Sequence, residues 1–304
     1  MNEPRRANDV TSHPSGSWEE ERRRAAGQTE AIKSLLQQFG LRPQKGFGQN
    51  FLRDDRYLRR IVEAAELRST DLVVEVGPGL GALTRELARR AGRVIAVEID
   101  RGMAEALKTV LAPYPNVDVV NADILDLDPT QLVGGGPYKV VANLPYYITS
   151  PVLRRFLEET RAKPELVVVM VQREVAERIV ARPGEMSLLA VSVQFYGAPR
   201  VVTLVPAQAF YPPPKVDSAV VRIDVYERPA VDVEPARFFR VVQAGFAQPR
   251  KQLHNAIANR LWLPRGSAPS LLSEAGVDPR RRPQTLSLEE WASICRTLAE
   301  KGYL

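Results

Sequence analysis

Residues that bind metals or form disulfides are scarce in this 304-residue chain, which contains one cysteine and two histidines. A single cysteine cannot form a disulfide within the chain, and so small a set disfavours a Cys/His metal site. Cys295 lies among apolar residues at helical spacing in WASICRTLAE, so we expect a buried thiol in the core and not a nucleophile. This use of cysteine is typical of a cytosolic protein.

Long apolar runs are also missing. No stretch of about 18 apolar residues occurs, so we expect no transmembrane helix. The N-terminal sequence lacks the apolar core of a secretory signal. Residues 1–28 are instead rich in Pro, Ser, Gly and charged residues, a composition that predicts a disordered tail, in which the Glu–Arg pairs of EEERRR favour a helical turn.

The charge of the chain is unevenly distributed. The formal net charge is +6 and the pI is about 9.5, values compatible with a polyanionic partner. Residues 246–283 contain seven Lys or Arg residues against two acidic residues. Taken alone, this segment fits a nucleic-acid-binding surface and an ordinary solvated helical face equally well.

Short apolar strands alternate with helical segments through most of the chain. This pattern predicts an α/β fold with a doubly wound, parallel, Rossmann-like sheet. The alternation stops at a linker near YERPAVDVEP, after which only helical segments follow. We therefore predict three parts: a disordered tail at 1–28, a Rossmann-like domain at 29–228, and an all-helical domain at 229–304.

A glycine loop, EVGPGLGA, follows the first strand of this sheet at residues 75–82. Gly77 and Gly79 would permit a tight turn and let a ligand approach backbone amides at a helix N-terminus. The letters fit both a dinucleotide fingerprint and the loop typical of S-adenosylmethionine enzymes. Glu98, about twenty residues further on, can bind a ribose diol in either case.

Polar residues at the ends of two later strands favour S-adenosylmethionine over a nicotinamide cofactor. The carboxylate of Asp123 can accept a hydrogen bond from an adenine amine, and neither histidine lies on the predicted sheet to serve hydride transfer. Asn143, in VANLPYYITSP, ends the fourth strand. An adenine N6 amine is a poor nucleophile because its lone pair is delocalised. The side-chain oxygen of Asn143 and the carbonyl of Leu144 can accept its hydrogens, while Tyr146 can stack on the base.

NLPYY resembles the [D/N]-P-P-[Y/F] motif of amino-group methyltransferases, in the form found in the ribosomal RNA adenine dimethylases. KGFGQNFL, VQREVAERIVARPG, FYPPPKVDSAVVRI and FAQPRKQLHNAI resemble further blocks of that family, and the match runs from about residue 40 to the C-terminus. Within the family, the bacterial small-subunit members are the most similar. The resemblance implies a monomeric, S-adenosylmethionine-dependent, RNA-binding methyltransferase. Its implied targets are the N6 atoms of two adjacent adenosines in the 3′-terminal hairpin loop of 16S rRNA in the 30S precursor.

The resemblance also implies roles for individual residues. The cofactor-binding residues that it implies are Asn50, Leu52, Gly77, Gly79, Glu98, Asp123 and Asn143. Of these, Asn50 and Leu52 would hold the methionine end, Glu98 the ribose and Asp123 the cofactor adenine. The implied catalytic residues are Asn143, Leu144, Tyr146 and Phe210. Phe210 would stack on the target base opposite Tyr146.

Two departures from the family pattern occur. Met186 and Ser187 stand where the family commonly has Tyr-Gly, and Pro249 stands where a basic residue is usual. We expect these positions to face RNA.

Two alternatives to the small-subunit activity remain open. An antibiotic-resistance dimethylase acting on 23S rRNA would share the fold and the chemistry, although the PPPKVDS block and the long helical segment favour the small-subunit enzyme. A non-catalytic RNA-binding assembly factor would share the fold only. The intact set of Gly77, Glu98, Asp123 and Asn143 argues against it.

Overall fold

In the computed structural model, which describes residues 16–44, 46 and 48–304, a seven-stranded sheet runs through the larger part of the molecule. The strands are β1 Phe51–Leu52, β2 Leu72–Val76, β3 Arg93–Glu98, β4 Val117–Asn121, β5 Lys139–Asn143, β6 Leu166–Gln172, β7 Gly197–Val205, β8 Phe210–Tyr211 and β9 Ser218–Val225. The α-helices are α1 Gly16–Gln38, α2 Asp55–Ala64, α3 Ala82–Ala88, α4 Arg101–Leu111, α5 Pro129–Val133, α6 Thr149–Arg154, α7 Arg173–Ile179, α8 Leu188–Tyr196, α9 Pro235–Phe246, α10 Leu253–Leu261, α11 Ser267–Glu274 and α12 Leu288–Glu300. None of the described helices combines the length and the apolar character needed to cross a membrane.

The sheet has the strand order β4-β3-β2-β5-β6-β9-β7. Strands β2 to β6 pair in parallel, which confirms the predicted doubly wound Rossmann-like fold. The sheet departs from the predicted parallel arrangement at one edge, because β9 is antiparallel to both β6 and β7. The connection from β7 to β9 contains no crossover α-helix, and antiparallel pairing needs none, whereas parallel neighbours do.

Alternate residues of the central strands supply two separate apolar cores, one on each face of the sheet. Val74 and Val140 belong to the core that also contains α6, α8 and the C-terminal helices. Val73 and Val141 belong to the core on the other face, packed against α2 and α3. The near-continuous apolar sequence of these strands follows from burial on both faces.

Helix α1 extends into the segment that the sequence predicts to be a disordered tail. Residues 16–28, assigned above to a disordered tail, form its N-terminal part, so that assignment is wrong for them. Residues 1–15 lie outside the described residues. The C-terminal part of α1 is docked through Leu36, which is buried against Phe51, Leu80 and Met103. The Glu–Arg pairs of EEERRR indicated a helix in this region, and the apolar contact of Leu36 anchors that helix.

The predicted helical C-terminal region is confirmed as α9 to α12. It shares its core with the sheet-containing part, since Phe195 of α8 stacks on Phe238 of α9 with ring centroids 4.6 Å apart. The boundary at residue 228 stays a prediction, although it falls between the end of β9 and the start of α9. Cys295 in α12 is 3% exposed, as expected for a core thiol.

Close packing of α9 on α12 allows a test of this shared core. A Cβ placed on Gly245 would lie 2.9 Å from Cζ3 of Trp291 and closer still to its Cη2. We therefore expect Gly245→Ala to lower the free energy of unfolding by about 1–3 kcal/mol in urea denaturation, as overpacking does.

The matched control is Gly27→Ala, because Gly27 is also helical and a Cβ added there would meet no described atom within 4 Å outside its own helix backbone. Alanine normally stabilises a helix interior relative to glycine by about 0.5–1 kcal/mol. Two variants that shift stability in the same direction would contradict the packing described here.

Candidate active site at the carboxyl edge of the sheet

The carboxyl ends of β2, β3 and β5 meet at one edge of the sheet and open into a cavity of about 870 Å³. Its volume lies within the range of about 300–1,000 Å³ that is usual for ligand sites. All of the site residues that the sequence predicts line it: Asn50, Leu52, Gly77, Gly79, Glu98, Asp123, Asn143, Leu144, Tyr146 and Phe210. The structure thus brings together residues from six separate segments, although their individual roles stay predictions.

The glycine loop after β2 forms the floor of this cavity. Gly77 and Gly79 have φ values of 67° and 56°, a conformation in which side chains are strained. Space is restricted at Gly79 as well, because a Cβ there would lie 3.2 Å from Phe51, whereas a Cβ on Gly77 would make an ordinary contact with Pro145 at 3.4 Å. The positive φ therefore favours glycine at both positions, and glycine leaves bare backbone facing the cavity.

Glu98, at the end of β3, is held in a fixed orientation by backbone amides. Its Oε1 accepts a hydrogen bond from Asp100 N at 3.0 Å, and its Oε2 accepts one from Gly79 N at 3.3 Å. The side chain is 4% exposed, and this burial raises the pKa of its carboxyl above the usual value. A pre-oriented carboxyl in this position is suited to accept hydrogen bonds from a diol.

Asp123 occupies the turn after β4, beside Glu98 in the cavity lining. Its Oδ1 accepts a hydrogen bond from Leu125 N at 2.9 Å, which fixes the carboxylate in an Asx-type turn. The carboxylate retains further lone pairs, since an ionised carboxylate offers about four acceptor sites.

Asn143, the last residue of β5, uses its amide nitrogen within the protein. Nδ2 donates a hydrogen bond to Asn50 O at 3.3 Å. Its Oδ1 has no hydrogen-bond partner in the part of the chain that the structure describes, and remains as an acceptor in the cavity lining. The following residue is fixed as well, because Leu144 N donates to Met170 O of β6 at 3.2 Å.

A short antiparallel ladder brings two distant segments together over the carboxyl edge. Strand β1 pairs with β8 so that Leu52 lies opposite Phe210, and Arg53 N donates to Ala209 O at 2.9 Å. The motif KGFGQNFL thereby reaches the cavity, although its residues 45 and 47 lie outside the described residues. Asn50 immediately precedes this ladder, and its carbonyl receives the Asn143 amide.

The two aromatic residues proposed to hold a base differ in exposure. Tyr146 is half-buried, and its hydroxyl lies 2.7 Å from Ser218 Oγ, which joins NLPYY to the PPPKVDS block. Burial raises the pKa of this phenol. Phe210 is 2% exposed and packed with Leu52 in the core, so stacking on a base requires a movement of neighbouring side chains.

Glu75 lines the cavity, and sequence reasoning did not single it out as a site residue. It is 1% exposed, its Oε2 has no hydrogen-bond partner among the described residues, and burial raises its pKa from 4.5 to about 8. The charge of Glu98 raises this pKa further. The available signal was an acidic residue inside an otherwise apolar strand, which is costly to bury without a purpose.

Helix α1 also contributes to the cavity through Ala31, Ile32 and Leu35. Its apolar periodicity was visible in the sequence, but its position over the site was not. Tyr147, next to Tyr146, also lines the cavity and is 55% exposed.

The expectation that the departures from the family pattern face RNA is wrong for Met186. Met186 is 4% exposed and packs in the core. Ser187 caps α8 by accepting a hydrogen bond from Ala190 N at 3.2 Å. Their roles are structural, whereas Pro249 is exposed in the loop before α10.

The basic segment 246–283 retains an uncompensated surface charge. Two of its seven cations are paired, Arg280 with Asp278 at 3.2 Å and Arg281 with Glu290. The remaining five are exposed and form no ion pair among the described residues: Arg250, Lys251, Arg260, Arg265 and Arg282. Such a surface suits a polyanion.

Comparison with known proteins extends these observations. Residues 40–300 match the family model described as ribosomal RNA adenine dimethylase. A ribosomal RNA small subunit methyltransferase A from Dehalococcoides mccartyi is 50% identical over 270 residues, covering 88% of this chain and 92% of that protein. The protein of the same name from Moorella thermoacetica is 49% identical, covering 87% of this chain and 96% of that protein.

Two solved structures show the same architecture. A dimethyladenosine transferase from Plasmodium falciparum superposes with a TM-score of 0.69 at 26% identity, covering 83% of this chain and 98% of that one. The 23S rRNA methyltransferase ErmE superposes with a TM-score of 0.66 at 33% identity, covering 82% of this chain and 100% of that one.

The contact between Gly79 and Phe51 predicts the effect of a methyl group in the glycine loop. Gly79→Ala combines a strained positive φ with a tight contact to the Phe51 ring, so the ring or the loop has to move by a few tenths of an ångström. We expect the affinity for S-adenosylmethionine in titration calorimetry to fall at least about tenfold, the equivalent of about 1.4 kcal/mol.

Gly134→Ala is the control for this variant, because Gly134 has a φ of 69° but a Cβ added there would meet no described atom within 4 Å. It should lose a similar amount of stability from backbone strain and keep its cofactor affinity. If both variants bind the cofactor equally well, the loop does not form its binding surface.

Glu75 predicts a pH dependence of stability for the cofactor-free protein. Since its pKa is raised from 4.5 to about 8 on folding, the folded chain holds a proton that the unfolded chain releases between these values. The free energy of unfolding should therefore fall as pH rises through this window and level off above it. Glu75→Gln removes the titration, so its stability should fall less between about pH 5 and pH 9 in urea denaturation.

Glu105→Gln provides a comparison from an exposed position. Lys108 lowers the pKa of Glu105, which places its titration below this window. This variant should therefore keep the wild-type pH profile. Identical profiles for wild type and Glu75→Gln would mean that Glu75 ionises normally.

Proposed function

The chain belongs to the ribosomal RNA adenine dimethylase family and is an S-adenosylmethionine-dependent methyltransferase, and we propose that it acts on small-subunit ribosomal RNA. Its proposed targets are the N6 atoms of two adjacent adenosines in the 3′-terminal hairpin loop of 16S rRNA. The protein acts as a monomer on the 30S precursor in the cytoplasm, during ribosome biogenesis. The observation that carries this proposal is the free acceptor Oδ1 of Asn143 at the carboxyl edge, beside Tyr146 and the glycine loop.

The residues of the cavity fit the cofactor. The bare backbone at Gly77 and Gly79 provides the close approach that a methionine moiety needs, in a space that side chains would fill. Glu98 is oriented to accept from a ribose diol, and Asp123 offers an acceptor for an adenine amine. S-adenosylmethionine, when bound, supplies the methyl group as an electrophile.

Asn143 prepares the target amine without acting as a base. Its Nδ2 is held by Asn50 O, so its Oδ1 is presented in one orientation to accept from the target N6 amine. Accepting this hydrogen favours the form of the amine whose lone pair is localised on nitrogen. Because that form develops as the methyl group arrives, the contact is stronger in the transition state than in the ground state.

Tyr146 positions the base. The contact of its hydroxyl with Ser218 Oγ fixes the ring, and a fixed ring can stack on an adenine at a low cost in entropy. Base–aromatic stacking is worth about 1–3 kcal/mol. Phe210 lies on the adjoining ladder and can complete the stack once its surroundings have moved.

A 23S rRNA activity is the second candidate, and the likeness to ErmE supports it. The curated relatives that are about 50% identical carry the small-subunit name and match over nearly their whole length, which favours 16S rRNA. The two candidates predict different modified molecules.

The deciding experiment offers the protein 30S and 50S particles from cells that lack both dimethylases, together with labelled S-adenosylmethionine. We expect label in 16S rRNA only, at two adjacent adenosines, with two methyl groups on each. Label in 23S rRNA would favour the second candidate, and label in neither would exclude both.

The free acceptor on Asn143 leads to a kinetic prediction. Asn143→Ala should fold and bind 30S particles normally, whereas the rate of methyl transfer should fall at least about a hundredfold, as when a preorganised polar contact is removed. Single-turnover kinetics with saturating cofactor and pre-bound particles isolate this step.

Asn121→Ala is a control at the same edge of the sheet. Asn121 ends β4 and uses its amide to donate to Glu98 O at 2.8 Å, a structural role. It can affect cofactor affinity but should not slow transfer at saturation. A near-normal rate for Asn143→Ala would mean that Asn143 only ends its strand.

A further inference from the structure

Trp262 is the most exposed large apolar side chain among the described residues, with 89% of its surface accessible. Its neighbours Leu261 and Leu263 are only 6% and 9% exposed and belong to the apolar core. The segment is therefore anchored on both sides of the indole, which the backbone turns outward. So large an apolar surface left in water is unfavourable unless a partner covers it.

The backbone at this position does not require tryptophan. Trp262 follows α10 in the left-handed conformation, with φ 55° and ψ 38°. Its N–H and that of Leu263 both donate to Ala258 O, a bonding pattern that ends many helices. Glycine is the usual residue there, because a side chain in this conformation is strained. Helix termination alone would favour glycine over tryptophan.

Cationic residues without an ion-pair partner among the described residues flank Trp262 in the sequence. Arg260 lies in the last turn of α10, and Arg265 lies in the turn that leads to α11. Arg250 and Lys251 lie at the other end of α10, which at nine residues is about 13 Å long. These four side chains are exposed and form no ion pair among the described residues. An exposed aromatic ring among free cations is the combination that binds single-stranded nucleic acid.

We propose that Trp262 stacks on an unpaired base of the ribosomal RNA while Arg260 and Arg265 contact the phosphates beside it. This inference rests on the proposed function, which makes RNA the substrate. The contact lies in the helical C-terminal region and not in the cavity, so it contributes to binding the particle and not to methyl transfer. It gives this region a contact that does not depend on salt, in addition to its charged ones.

The first test compares Trp262→Gly with wild type on 30S particles that lack the dimethyladenosines. Glycine relieves the backbone strain, so the variant should be at least as stable as wild type in thermal denaturation. Its affinity for the particle should nevertheless fall at least about fivefold, the lower limit for loss of one base–aromatic stack. The single-turnover rate with pre-bound particles should stay unchanged.

Trp262→Phe should keep most of the affinity, because a phenyl ring also stacks but is equally strained. Wild-type affinity in Trp262→Gly would overturn the inference. An equal loss of affinity in Trp262→Phe and Trp262→Gly would also overturn it, because a second aromatic ring would then fail to replace the indole. Failure of wild type itself to methylate 16S rRNA would instead refute the proposed function.

Salt dependence separates the ring from its flanking cations. Paired Arg260→Gln and Arg265→Gln substitutions should reduce the log–log slope of particle affinity against salt by roughly 0.7–0.9 for each lost phosphate contact. Trp262→Gly should leave that slope unchanged. A reduced slope for Trp262→Gly would mean that the indole acts by positioning the cations, which contradicts stacking.

A fluorescence experiment tests whether RNA is the partner. The chain has three tryptophans, of which Trp291 is fully buried, so Trp18→Phe leaves Trp262 as the exposed emitter. A short single-stranded oligoadenylate should quench it saturably, whereas duplex RNA of equal length should quench it less. If Trp262→Gly weakens particle binding but neither RNA quenches the indole, the ring contacts a ribosomal protein and the proposal is wrong.

Discussion

Parallel pairing of β2, β3 and β5 is the constraint on which the site depends. Parallel strands in register end at the same edge, so whatever follows each strand is brought to one place. Gly77 follows β2, while Glu98 and Asn143 end β3 and β5. The two apolar cores hold these strands rigid on both faces, and the polar residues at the edge therefore need no flexible loop to reach one another. The topology of the sheet alone therefore brings the polar residues of the site to one place.

The β1–β8 ladder lies over the cavity at the carboxyl edge of the sheet and completes its lining. It joins segments about 160 residues apart in the chain, placing Leu52 beside Phe210, and Asn50 O then receives the amide of Asn143. A second tie runs from Tyr146 to Ser218 at the start of β9. This side of the cavity is thus built from three regions whose positions are coupled through two hydrogen bonds.

Much of this arrangement could be predicted from the sequence, because its signals are local. Strand ends, the glycine loop and the four C-terminal helices each follow from apolar periodicity and from punctuation by Gly, Pro and polar residues. Helix α8 was not predicted, because SLLAVSVQFY is apolar on almost every side and shows no helical period. The reversed direction of β9 and the docking of α1 over the cavity depend on contacts between distant segments. The unusual state of Glu75 depends on complete burial, which its letter alone does not reveal.

The acidic lining of the cavity favours a cationic ligand over a neutral one. Glu75, Glu98 and Asp123 all face the space that the glycine loop leaves open, and burial strengthens electrostatic interactions there. Burial, together with the nearby charge of Glu98, raises the pKa of Glu75 to about 8, so this carboxyl adds no negative charge to the cavity near neutral pH. A sulfonium cofactor is attracted to the remaining charge, whereas the thioether product, which has lost that positive charge, is attracted less. A dimethylase benefits from this difference, because each spent cofactor then leaves more readily than a fresh one.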